Sequence, residues 1–402
     1  MRKPRVLMLV DSLADEAGGA ERFAVGLALA LPKDDFAVGI CVTRTARGGM
    51  PNELDAAGIP WLELGRTGRS DIMPLRRLGA VLRTVDLLHA HKFGSNVWGS
   101  VVGRAAGVPV IVAHEHTWSY EGQPLRRLLD GQLVGRLADS FVSVSNADRR
   151  RMIDLEGVPP EKTITIPTGF VPRMEPSAGD LRSELGIASG APVVGTICSV
   201  RPQKALEVLL EALAIVQRGR PDTHLVVVGD GPARPGLEAH AESLGVSRVH
   251  FTGTRTDLAV IFEAFDVAVM SSDFEGLPLF AFECMNYRTP LVATAVGGLP
   301  DLVRQEETGL LVPPRDPGAL ARALEALLSD PGRRARMASA AHEQLPDYSM
   351  ERIAARFAEL YGDLLARRGG GRRLRAPGPS SPAAPELNGS ARRPGSRRLA
   401  DP

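Results

Sequence analysis

The stretch SSDFEGLPLFAFECMNYRTPLVATAVGGLPD, residues 271–301, decides how the rest of the chain is read. It opens at the end of one apolar run, VAVMSS (267–272), and contains another, PLVATAVGG (290–298). Between them lies a helix-length segment carrying two glutamates, Glu275 and Glu283, in apolar surroundings. Short continuous apolar runs separated by helical segments are the pattern of parallel strands buried on both faces. A buried charge is costly unless something pairs with it. A ligand rich in hydroxyls and phosphates would answer both carboxylates.

Working outward, the same pattern recurs through two halves of the chain. In the first half, strands are expected at 5–10, 36–42, 86–91, 108–115, 140–145 and 163–168. In the second they are expected at 193–200, 224–230, 249–253, 267–272, 290–298 and 309–313. Six such units twice, split by FVPRMEPSAGD (170–180), predict an α/β protein of two doubly wound parallel-sheet domains facing a central cleft. The expected organisation is residues 1–172, then 173–349, then a helix over 350–366 and a basic, disordered tail over 367–402. From Gly369 onward the chain holds seven arginines against Glu386 and Asp401, with almost no apolar content to bury.

The bulk composition excludes several classes. At 402 residues, 44% hydrophobic and 24% charged, this is ordinary soluble-globular material, and a formal charge of +1 gives no reason to expect nucleic acid. Cys41, Cys198 and Cys284 are scattered along apolar runs and fit a reducing, cytoplasmic setting better than a disulfide framework. The apolar run before Asp11 is short for a signal peptide, and no run is long enough to span a membrane. The basic segment RRLLDGQLVGRL (126–137) reads as a solvated amphipathic helix, with peripheral contact at the inner membrane surface as the alternative.

The loops after the expected strands hold the candidate site. In EGLP, Gly276 sits in the turn and Pro278 near the first helical position, where a missing N–H costs nothing. A helix starting there turns its free N–H groups and positive dipole end toward the loop, which suits an anion such as pyrophosphate. The amides near Gly276 and Leu277, and the close approach allowed by Gly297 and Gly298, belong to this arrangement. Gly18 and Gly19 precede a helix after the first strand, and Gly229 follows another strand. The spacing around Gly18 is not GxGxxG, so a dinucleotide is not implied. Lys204, with Arg201, supplies counter-charge for a diphosphate. No suitable DxD is present to hold a divalent ion. His89, His91, His114 and His116 end two strands but lack an acidic third ligand, so no metal site is expected, and His116 is taken as a hydrogen-bonding residue.

With these residues in hand, the chain resembles the retaining glycosyltransferases of family 4, which have the two-domain GT-B fold. The resemblance covers about residues 5 to 366 and rests on GGAER, EHT, VSVS, RPQK, VVGDGP, EGLPLFAFE, VGGLPD and TGLLVPP in family order. It implies transfer of a sugar from a nucleotide-diphospho-sugar, UDP- or GDP-linked, to a hydroxyl acceptor, without cofactor or essential metal. By the same resemblance Glu275 lies near the donor sugar, Glu283 holds the ribose, and Lys204 meets the diphosphate. Gly18 and Gly19 form the N-terminal glycine loop, His116 is the cleft histidine, and the helix at 350–366 crosses back to the first domain. Two positions depart from the pattern. Ser199 stands where a phosphate-binding arginine is common, a loss on the order of 1.5–3 kcal/mol for a charge-assisted hydrogen bond. Thr168 stands where many members have asparagine. A non-catalytic nucleotide-sugar-binding protein and a sugar-nucleotide epimerase of the same fold are the rival readings.

Overall fold

The computed structural model describes residues 2–14, 18–68, 71, 73–116, 124–172 and 177–369. The expected tail therefore lies outside the described residues, except for its first three positions, which end a helix. Among the described residues, thirteen strands form two sheets. The first contains β1 (Arg5–Leu13), β2 (Ala37–Ala46), β3 (Trp61–Glu63), β4 (Leu87–His91), β5 (Val110–Glu115), β6 (Ser140–Ser143) and β7 (Thr163–Thr165), in the order β3-β2-β1-β4-β5-β6-β7. The second contains β8 (Val193–Ile197), β9 (His224–Val228), β10 (Val249–Gly253), β11 (Val267–Met270), β12 (Leu291–Thr294) and β13 (Leu310–Val312), in the order β10-β9-β8-β11-β12-β13. Registered pairs in both are parallel. In each sheet the order reverses beside its first strand, β1 or β8, the doubly wound topology that places loops for ligand binding beyond the strand C-termini.

Two corrections to the expected elements follow. The first sheet has seven strands, not six, because β3 is a three-residue, half-buried edge strand pairing only with β2. The segment expected as one amphipathic helix at 126–137 is instead broken. Pro124–Leu128 is α-helical, Leu129–Val134 is a π-helical turn, and Gly135–Leu137 is α-helical again.

By packing, the chain separates into two compact units, residues 1–112 with 360–402 and residues 113–359. In the first unit, Leu7, Leu9, Ile40, Val42, Leu87 and Leu88 on the strands are essentially fully buried. Tyr361, just past the middle of the Met350–Gly369 helix, is buried there too. Its ring meets Phe36 edge-on and its hydroxyl lies 2.6 Å from His89 Nδ1.

In the second unit the alternation of side chains along β8–β12 explains why those strands read as unbroken apolar runs. Val193, Val226, Val228, Ala268, Met270, Leu291 and Ala293 face one layer, which includes Phe280, Ala281 and Phe282 of the Leu279–Asn286 helix. Val194, Leu225, Val227, Val267, Val269 and Val292 face the other, against the Leu206–Gly219 and Pro317–Ser329 helices. The central strands are covered on both faces, so apolar residues dominate both, with Thr196, His224 and Thr294 as the buried polar exceptions. Among the described residues, no helix is long and apolar enough to cross a membrane.

Candidate active site

The densest polar arrangement in the second unit grows out of the end of β11. Ser271 and Ser272 are buried where the strand stops. The Ser271 hydroxyl donates to the Lys204 carbonyl at 2.8 Å, which fixes the turn carrying Lys204. The Ser272 hydroxyl donates to Glu275 Oε1 at 2.6 Å, and the Lys204 ammonium donates to the same oxygen at 2.5 Å. Two further bonds tie the loops together: Asp273 N donates to Gln203 O at 2.9 Å, and Gln203 Nε2 donates to Phe274 O at 2.9 Å. Glu275 and Lys204, 71 positions apart in sequence, thus form one ion pair on a doubly braced loop.

This geometry refines the opening question about the two acids. Glu275 is 5% exposed, and the charge that compensates it is Lys204, supplied by the protein itself. Glu283, on the Leu279–Asn286 helix, is only half-buried and does not carry the same cost. Pro278 is the N-cap, one position ahead of the first helical residue. An ammonium has three donors, and the described contacts use one. Arg201 is exposed beside it and makes no ion pair among the described residues.

The glycines have separate physical reasons. Gly297 has φ +55°, and a Cβ there would stand 1.7 Å from the Glu275 carbonyl oxygen. Gly298 donates its N–H to Gly276 O at 2.8 Å, and a Cβ on it would fall 2.6 Å from that oxygen. These two glycines therefore admit the backbone of the Glu275–Leu277 loop. Gly229, at φ +125°, lets the β9 loop lie on the Cys198 carbonyl, 1.9 Å from where its Cβ would be. Cys198 sits under this arrangement, and burial pushes its thiol up to about 11.

In the first unit, Gly18 caps and Gly19 begins the Gly19–Ala30 helix, both exposed. Glu21, in its first turn, is 2% exposed and accepts from the Lys92 ammonium at 2.7 Å. Lys92 has φ +69°, a left-handed conformation costly for a side chain of this kind. Asp11 Oδ1 accepts from Thr43 Oγ1 at 2.9 Å and from Ser95 Oγ at 3.1 Å. His89 and His91 on β4 lie ring against ring at 4.1 Å, and burial lowers His91 to about 3, so its ring is neutral at physiological pH. In the second unit, His116 is half-buried just past β5 and stacks on His114 at 4.0 Å.

Comparison with known proteins matches this arrangement to a family. The family model for Glycosyl transferases group 1 matches residues 191–330, and that for Glycosyltransferase Family 4 matches residues 17–173. A D-inositol 3-phosphate glycosyltransferase of Thermobispora bispora is 31% identical over 393 residues, covering 88% of this chain and 91% of that protein. The protein of the same name from Kineococcus radiotolerans is 33% identical over 315 residues, covering 69% and 72%. The chain belongs to glycosyltransferase family 4. Its fold is GT-B. Anabaena Alr3699/HepE, solved in complex with UDP-glucose, superposes with a TM-score of 0.77 at 25% identity, over 89% of this chain and 99% of that one. Sucrose-phosphate synthase from Thermosynechococcus elongatus shares the fold at a TM-score of 0.74 and 24% identity, over 91% and 100%.

For this family 4 glycosyltransferase, sequence reasoning named Glu275 and Lys204 but not the bond between them. It missed Asp11, Lys92, Ser271 and Ser272 as site-building residues. Ser272 stands just past the end of β11 and Asp11 at the register shift near the end of β1, and a polar residue closing a buried apolar run is the signal that would have found them.

Proposed function

We propose that this glycosyltransferase transfers a sugar from a nucleotide-diphospho-sugar, UDP- or GDP-linked, to a hydroxyl acceptor with retention of configuration and without a metal ion. The observation that carries the reading is the Lys204–Glu275 pair beside the N-terminus of the Leu279–Asn286 helix. A lysine with two unused donors and the positive dipole end of a helix together offer hydrogen bonds and a favourable field to a diphosphate. Such a site takes over the charge neutralisation that a divalent ion would otherwise provide. Glu275, held by Ser272 and Lys204, accepts hydrogen bonds from sugar hydroxyls, and Glu283 from the ribose. The solved neighbour with UDP-glucose supports a uridine donor as the first to test.

The bond between the anomeric carbon and the phosphate oxygen breaks, and the leaving diphosphate takes the electron pair. Lys204 and the amides near Gly276 and Leu277 stabilise that charge. The acceptor oxygen bonds to the same carbon from the same face, and its proton passes to the departing phosphate oxygen. His116 contributes a hydrogen bond on the acceptor side. Loss of turnover in Glu21→Gln with donor binding intact would instead assign the base to Glu21. The relatives' names put D-inositol 3-phosphate first among acceptors to screen, ahead of glycans and lipids. A cytoplasmic setting belongs to this proposal, as does peripheral membrane contact through the exposed Leu125 and Leu128 beside Arg127.

The experiment is a donor–acceptor screen in EDTA, with the anomeric configuration of the product read by NMR. Turnover in EDTA with retained configuration supports the proposal, whereas inversion or an EDTA-abolished rate contradicts it. The exposed Ser199, in place of the common arginine, favours one second reading, donor binding without turnover. Ser199→Arg would then bind donor more tightly and still make no product.

A further inference from the structure

Asp301 belongs to the first turn of the short Leu299–Leu302 helix, directly after the Gly297–Gly298 loop. Its carboxylate accepts from the Asn146 backbone N–H at 2.7 Å, with the Asn146 amide nitrogen 3.4 Å from its second oxygen. Asn146 opens the Asn146–Asp154 helix, whose N-cap is Ser145. A Cβ on Gly298 would stand 3.0 Å from Ser145 Cβ, so the two helix starts touch at this point. On its other side the glycine loop is bonded to the Glu275–Gly276 backbone, through Gly298 N to Gly276 O at 2.8 Å. One carboxylate thus closes a chain of contacts from the Asn146 helix, through the glycine loop, to the loop that presents Glu275.

Behind the latch is a second acid. Asp148, 3% exposed, accepts from the Ser145 hydroxyl at 2.7 Å and gives its own N–H to the same oxygen at 3.0 Å. Its other oxygen is buried without a hydrogen bond among the described residues.

We propose that Asp301 is a positioning residue of the donor site: it clamps the glycine loop against the Asn146 helix, and Asp148 behind it sets how firmly the clamp holds. This rests on the proposed function, since the loop being positioned carries Glu275. Burial, with a smaller push from the Asp301 carboxylate, raises Asp148 to about 6, against the opposing pull of the Ser145 hydroxyl and Arg151. The groups around Asp301 itself are Asn146 and Tyr348, with Arg304 and Asp347 near the tyrosine. Below about pH 6 Asp148 is neutral and Asp301 holds its donors alone. Above it a second carboxylate opposes the first, and the clamp loosens.

The test uses Asp301→Ala, Asp301→Asn and Asp148→Asn, with Glu307→Gln, an exposed partner of Arg304, as control. Asp301→Ala should lower kcat/KM for the donor about tenfold with the acceptor KM unchanged. Asp301→Asn should recover part of the loss, because its amide oxygen still accepts from Asn146. The ratio of Asp148→Asn to wild-type donor kcat/KM should be near one at pH 5 and rise severalfold by pH 8. Equal donor kcat/KM in Asp301→Ala and wild type would overturn the proposal, as would a flat ratio. The Gly298 amide should exchange with solvent faster in Asp301→Ala. That readout holds even if no donor is found, so a failed functional reading and a failed clamp are told apart. Unchanged Gly298 protection overturns the clamp in either case.

Discussion

Two buried carboxylate–lysine pairs sit at loop ends, one in each unit, and they are finished to different degrees. In the second unit Glu275 Oε1 collects both the Lys204 ammonium and the Ser272 hydroxyl, and Lys204 is only 19% exposed. In the first unit Glu21 Oε1 meets Lys92, while its Oε2 is buried without a hydrogen bond among the described residues. Lys92 is 42% exposed and holds a left-handed backbone. The Glu275–Lys204 pair is a completed electrostatic frame. The Glu21–Lys92 pair carries strain and an unsatisfied acceptor.

The largest expected effect breaks the finished pair. Lys204→Ala leaves Glu275 buried and uncompensated, which should cost on the order of 3–5 kcal/mol of unfolding free energy by denaturant titration. Glu275→Gln in the same background should recover much of that loss, because it removes the orphaned charge. Full additivity of the two changes would show that the pair is not coupled.

Next come the glycines. Gly297→Ala must place a Cβ on the Glu275 carbonyl at positive φ, and a loss of about 2 kcal/mol or more is expected from thermal melts. Gly18→Ala, at φ −75° with the nearest atom 3.5 Å away, should change stability by about 0.5 kcal/mol or less. Equal effects would erase the contrast between the packed loop and the open one.

Asp148→Asn should stabilise the protein. Burial raises the native carboxyl to about 6 from its ordinary 3.8, so its favourable contribution is full below 3.8 and lost as pH rises through 6. The variant should therefore gain up to about 3 kcal/mol over wild type at pH 8 and almost nothing at pH 3.5. Paired urea titrations at the two pH values check the sign. The smallest effect is at Arg315, which bridges Asp273 and Glu207 outside the Glu275 loop and is 56% exposed. Arg315→Ala should cost less than about 1 kcal/mol and diminish further in high salt.

Much of this architecture was legible in the sequence. Runs such as HLVVV and VAVM, nearly all apolar and β-branched between turn signals, read as doubly covered strands, and the Pro278 helix start was placed to within one residue. What escaped was short or non-local. β3 is three residues, too few to show a period, and the π-helical turn at Leu129–Val134 has no local signature. Lys204 and Glu275 were each visible, but their bond is a product of strand order, which places the β8 and β11 loops side by side. Gly297 was read as room for a ligand, and the structure shows room for the Glu275 backbone. The Asn146–Asp301 contact, 155 positions apart, had no sequence signal at all.

The most direct test of the donor-site assignment is a calorimetric titration of UDP and GDP, in EDTA, into wild type and Glu283→Ala. Glu283 is half-buried and outside the Lys204–Glu275 pair, so its loss leaves the ion-pair frame intact. The account predicts micromolar binding of one nucleotide to wild type and at least about tenfold weaker binding to the variant. Equal binding to both proteins, or no binding of either nucleotide to wild type, would contradict it.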